Sequence, residues 1–126
     1  MKDRFKFRAW NTETKTMHYR AEQTYDCLDG IPLIRHSSFG DLLDDENYIV
    51  EQCTGIKDAN GKLIYEGDII FINGEKWQVI WNDEDCAFFF SNLKEVYHQP
   101  IFPDFYRMTD DFKVIGNMHE NPELMK

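Results

Sequence analysis

Between Ile69 and Phe90, apolar runs and tight turns follow one another too closely for helices. Ile69-Ile70-Phe71-Ile72 is rich in β-branched and aromatic residues and predicts a strand. Asn73-Gly74-Glu75 reverses the chain, because Asn and Gly tolerate tight-turn backbone conformations. Lys76-Trp77-Gln78-Val79-Ile80-Trp81 returns with Trp77, Val79 and Trp81 on one face. Asn82-Asp83-Glu84-Asp85 turns again, and Cys86 to Phe90 form the next strand. Strands joined by turns this short pair as an antiparallel meander. Trp77, Val79 and Trp81 are expected to be buried together against Ile69, Phe71 and the aromatics of 86–90.

The remaining segments fit the same architecture. Phe5 and Phe7 alternate with Arg4, Lys6 and Arg8, so residues 4–10 read as a half-buried strand. A polar turn over 11–16 and a strand at Met17-His18-Tyr19 complete an N-terminal hairpin. Residues 20–47 read as irregular, with Ser37-Ser38 capping a short helix over Phe39 to Asp45 and Leu42 and Leu43 facing inward. Tyr48–Cys53 is a strand, Lys57–Lys62 a turn, and Leu63-Ile64-Tyr65 a short strand before the Glu66-Gly67-Asp68 turn. Residues 91–111, with Pro100 and Pro103, predict a long loop or irregular edge, because proline cannot donate to a central ladder. Phe112 to Ile115 is a final strand, and the tail makes a turn.

The sum is a mainly β chain: a small, strongly bent antiparallel sheet, SH3-like and partly open, with the N-terminal hairpin and at most two short helices. A chain of 126 residues fits one domain with a real core. Within it, 1–19 is the hairpin, 20–47 the irregular segment, and 48–126 the β meander core and tail.

Charge and cysteine usage exclude several classes. The net charge is −9, which opposes a uniform cationic surface for nucleic acid or anionic lipid. An acidic surface that imitates a nucleic-acid backbone is the sharper alternative. Cys27, Cys53 and Cys86 are widely spaced and odd in number, so buried free thiols in a reducing compartment are expected. The charged start and the lack of any membrane-length apolar run place the protein in the cytoplasm.

The chemical constellations fail on spacing. Asp58-Ala59-Asn60 opens like a calcium loop, but Lys62, Leu63 and Ile69 stand where oxygen ligands and glycine are required. His18, His36, His98 and His119 show no metal spacing, and no nucleophile elbow or phosphate-binding glycine loop occurs. No cofactor or metal is expected. Asp83, Glu84 and Asp85 offer paired carboxylates for acid–base chemistry, but they sit on a predicted hairpin turn, so a solvated turn is the plainer reading. Arg4, Lys6 and Arg8, with Lys2, share one face of the first strand and are weak candidates for phosphate contact. A charged outer strand that blocks edge-to-edge pairing is the favoured explanation, given the net charge of −9. Tyr97, Ile101, Phe102, Phe105 and Tyr106 form an aromatic segment that needs covering by this chain, a second copy or another protein.

Three stretches carry a family resemblance: Lys6-Phe7-Arg8-Ala9-Trp10, Thr54 to Ile69, and Val114 to Leu124. Together they resemble the YopX family of small phage and prophage proteins. The resemblance implies a phage-borne accessory protein of the bacterial cytoplasm and assigns no catalytic residue. Physically, Gly55, Gly61, Gly67 and Gly116 read as turn residues, and Tyr65 and Ile69 as core. The expected role is a non-enzymatic binding or assembly module with a host, phage or self partner. The alternatives are an acidic inhibitor of a host nucleic-acid enzyme and a small hydrolase using Asp83, Glu84 or Asp85.

Overall fold

The computed structural model describes residues 2–23, 27–28, 31–32, 38–72, 74–94, 98–100 and 112–126. A 3-10 turn, Asp3–Phe5, precedes strands β1 (Phe7–Asn11) and β2 (Thr16–Tyr19). Two-residue strands β3 (Cys27–Leu28) and β4 (Ile31–Pro32) pair with each other. Helix α1 (Phe39–Leu43) leads into β5 (Tyr48–Lys57), β6 (Leu63–Tyr65) and β7 (Asp68–Ile72). Strands β8 (Glu75–Asn82), β9 (Ala87–Asn92), β10 (His98–Pro100) and β11 (Lys113–Asn117) follow, then a 3-10 turn at Pro122–Met125.

The fold is mainly β and antiparallel, as the turn spacing predicts. The strands divide between two principal sheets rather than one, and one of the two is strongly curled. One sheet has the order β2-β1-β5-β6, and the other β10-β9-β8-β7-β11. Strand β5 serves two partners in turn: its first half pairs with β1 and its second with β6, across an irregularity between Cys53 and Lys57. Pro100 ends β10, which lies at the edge of its sheet among the described residues, a position proline tolerates.

Two apolar cores result. The larger gathers Ile70, Ile72, Trp77, Val79 and Phe90 of the five-stranded sheet with Ile64 of β6 and Phe112. The smaller packs Ala9, Ala21 and Leu42, with Phe7 and Phe39 against them, under α1. Burying each large side chain contributes about 1.5–3 kcal/mol. Ser38 caps α1 by accepting a hydrogen bond from Asp41 N at 3.1 Å.

Several sequence expectations are corrected. The strand starts at Phe7, after a 3-10 turn, so Phe5 is exposed instead of facing a core. The β7 side chains facing Trp77 and Val79 are Ile70 and Ile72, not Ile69 and Phe71. Strand alternation is two-fold, and the cross-strand register pairs Ile70 with Trp77. Trp81 shares the Trp77 face but lies at the hairpin end beyond the core, 41% exposed. The helix ends at Leu43, which is exposed, while Leu42 is buried. Cys53 is buried, but Cys86 is exposed at the turn.

Candidate functional site

The alternation of β1 decides where the site forms. Phe7 and Ala9 enter the small core, so Arg8 and Trp10 project from the opposite face. That face is buried too: Arg8 is 1% and Trp10 7% exposed. A buried guanidinium needs compensating charge. Arg8 and Glu51 are direct cross-strand partners, and Arg8 Nε donates to Glu51 Oε1 at 2.9 Å. Arg8 Nη1 donates to Asp68 Oδ1 at 2.7 Å, and Nη2 to the Glu66 carbonyl at 2.9 Å. The guanidinium also lies over the Tyr65 ring, 5.0 Å from its centroid. Arg8 therefore ties β1 and β5 of one sheet to the first residue of β7 in the other.

The tail closes the cluster. His119 Nε2 meets Glu51 Oε2 at 3.0 Å, and its ring stacks on Trp10 at 5.3 Å. Asn117 Oδ1 accepts from the backbone N–H of both His119 and Glu120, which fixes the turn carrying His119. Gly116 lies within β11 at a register shift, so it is no turn residue. Close approach favours glycine there: a Cβ would stand 2.5 Å from Asn121 Oδ1, and the side chain that accepts from Asn117 N would have to move. At the Glu66-Gly67 turn, Gly67 has φ +87°, and a Cβ would collide with the Glu51 carboxylate.

The electrostatics are those of a closed ion cluster. Burial alone would lower the Arg8 pKa, but Asp68 and Glu51 outweigh it and hold the charge more firmly than usual. Burial raises the Asp68 carboxyl above its ordinary range, opposed by Arg8 and by the Tyr65 N–H. Every carboxylate oxygen is committed. Glu51 Oε1 and Oε2 serve Arg8 and His119, while Asp68 Oδ1 and Oδ2 accept from Arg8 and Tyr65 N. Such an arrangement holds elements of both sheets together.

Shallow hollows flank the cluster; besides one of ≈ 400 Å³ lined by Asp68, Asn117 and Glu120, two lie beside Arg8 and Trp10. One, of ≈ 400 Å³, is lined by Arg8, Asp68, Tyr19 and Tyr65 with Lys6, Lys57 and Lys62. The other, of ≈ 650 Å³, is lined by Trp10, Lys15, His119 and Glu120 with Met118 and Pro122. Among the described residues, no group of three His, Cys, Asp or Glu side chains is arranged to hold a metal ion.

The residues singled out from sequence fall in different places. Arg4 lies over the Phe5 ring at 4.5 Å, and Lys6 pairs with Asp3 at 3.0 Å. Lys6 and Arg8 line the same hollow, but Arg8 is internal instead of on an outer charged face. Asp83, Glu84 and Asp85 are exposed on the β8–β9 turn, where Asp83 Oδ1 accepts from Trp81 Nε1 at 2.8 Å. Asp58 organises its own turn, accepting from Asn60 N and Lys62 N through Oδ1 and from Val114 N through Oδ2. The aromatic segment of Tyr97, Ile101, Phe102, Phe105 and Tyr106 lies outside the described residues. Sequence reasoning gave no role to Glu51, Asp68, Asn117 or His119. The available signal was a lone charge at the head of an apolar run, as in Asp68-Ile69-Ile70-Phe71-Ile72.

Fold and site define a class: a two-sheet antiparallel β protein whose sheets are joined by a buried arginine–carboxylate–histidine lock. The family model described as YopX protein matches residues 6–126, and the chain belongs to the YopX family. Among solved structures it is similar to protein EF1440 from Enterococcus faecalis, at 28% identity and a TM-score of 0.64. That match covers 96% of this chain and 97% of the other. No curated protein matches. The three motif stretches, distant in sequence, supply Arg8 and Trp10, Asp68, and Asn117 and His119 to one cluster.

Proposed function

We propose that the chain is a non-enzymatic binding or assembly module, a phage or prophage accessory protein working in the bacterial cytoplasm. The family supports the phage setting. The supporting observation for the rest is how the ion cluster is used: each of the four oxygens of the two buried carboxylates already faces an internal partner. General acid–base work needs a group within reach of a substrate proton, and these groups face one another. The exposed Asp83-Glu84-Asp85 turn lacks the burial that tunes catalytic carboxylates. The cationic lining beside Arg8 also makes this face a poor imitation of a nucleic-acid backbone.

The test is a turnover screen of the wild-type protein on chromogenic phosphomonoesters, phosphodiesters and glycosides. The expected result is no turnover that depends on Glu51, Asp83, Glu84 or Asp85. Turnover abolished by Glu51→Gln or Asp83→Asn in a variant that still folds would overturn the reading.

A further inference from the structure

We propose that the hollow beside the Arg8–Asp68 pair binds a small phosphate-bearing ligand, with Lys57 and Lys62 as its anchors; this rests on the binding-module reading. Four cationic side chains line the hollow; Lys6 is matched by Asp3 and Arg8 by Asp68 and Glu51, which among the described residues leaves Lys57 and Lys62 as two unmatched positive charges on a chain of net charge −9. Among the described residues, neither the Lys57 nor the Lys62 ammonium forms an ion pair. Both lysines are carried on a fixed backbone. Lys57 ends β5 opposite Leu63, and Asp58 N donates to the Lys62 carbonyl at 2.8 Å.

The charge and size select the ligand. A phosphate dianion matches the excess of +2, and lysine ammonium groups bind phosphate as point charges. Arg8 spends its charge on Asp68 and Glu51 and one N–H of each nitrogen on protein acceptors, so the anchoring falls to the two lysines. Tyr19, 44% exposed, packs edge-on against Tyr65 at 5.5 Å and lines the hollow with it. A volume of ≈ 400 Å³ falls in the range of small-molecule sites. A long polyanion is disfavoured by the acidic remainder of the surface.

Calorimetric titration with inorganic pyrophosphate and with a mononucleotide, at ionic strength fixed with chloride, tests the site. The wild type should bind at least one probe. A Lys57→Gln, Lys62→Gln double variant should keep the wild-type melting temperature and lose about tenfold or more in affinity. A mononucleotide that binds more tightly than pyrophosphate assigns the phosphate to a nucleoside source, and equal binding assigns recognition to the phosphate alone. Absence of binding by either probe, or binding that survives in the double variant, overturns the proposal. Either failure leaves the non-enzymatic reading standing, since turnover alone tests that.

Discussion

The apolar core of the five-stranded sheet and the ion cluster between the sheets are equally dry but differently built. In the core, Ile70, Ile72, Trp77, Val79 and Phe90 each add an independent, non-directional increment. In the cluster, Arg8, Glu51, Asp68 and His119 satisfy one another at 2.7–3.0 Å, and no member is tolerable without the rest. The core makes β structure favourable. The cluster makes this particular docking of the two sheets favourable, because only one geometry satisfies all its donors and acceptors.

The largest expected effect comes from removing the cluster's only buried cation among the described residues. Arg8→Ala leaves Glu51 and Asp68 buried without compensation and should cost about 3–5 kcal/mol in urea unfolding. Ile70→Val, in the core, should cost only about 0.5–1.5 kcal/mol. Arg8→Lys should fail to restore stability, because one ammonium cannot reproduce three divergent hydrogen bonds. Equal losses for Arg8→Ala and Ile70→Val would erase the distinction between the two regions.

The same distinction explains what was legible in sequence. Strands β7, β8 and β9 and their turns follow from alternation and turn chemistry, both local properties. Alternation on β1 correctly separates Phe7 from Arg8 but does not say which face meets water. Arg8 reads as an outer charge until Glu51 and Asp68, 43 and 60 residues away, are brought to it. A two-residue period likewise puts Trp81 with Trp77 without showing where the facing strands end. The family motifs marked the right stretches, but their glycines read as turns when Gly116 is a site of close packing.

Gly67 separates turn strain from cluster geometry. Gly67 and Gly61 share positive φ, +87° and +83°, but only at Gly67 would a Cβ meet the Glu51 carboxylate. Both alanine variants carry backbone strain of about 1–3 kcal/mol. Gly67→Ala should sit at the top of that range or above it and Gly61→Ala at the bottom. Equal unfolding midpoints would show that Glu51 yields freely and that the cluster is looser than its distances imply.

Trp81 marks where the apolar core stops. It keeps an edge-on contact with Phe88 at 5.0 Å and the hydrogen bond to Asp83, both at an exposed turn. Trp81→Ala should therefore cost about 0.5–1.5 kcal/mol. Trp77→Ala, from the centre of the core, should cost about 3–5 kcal/mol. A Trp81 loss as large as that of Trp77 would extend the core over the hairpin tip.

The smallest effect at neutral pH is expected at Tyr65, a buried residue whose ring lies beside Arg8. Burial, reinforced by Cys53, pushes the Tyr65 phenol up to about 12 from an ordinary value of 10. The folded chain then holds a proton that the unfolded chain has released, so stability falls as pH rises through that window. Tyr65→Phe removes this titration and keeps the ring. Below pH 10 the variant should lie within about 0.5 kcal/mol of wild type. Between pH 10 and about 12 the wild type should lose stability that the variant retains. Melting temperatures across that range, with tyrosinate absorbance followed in parallel, read the difference directly. Burial also raises Tyr19, so the wild-type loss has more than one source, and only the gap between the two proteins reports Tyr65. Parallel curves would mean that water reaches the Tyr65 hydroxyl freely, and that the ring covers Arg8 without drying the space around it.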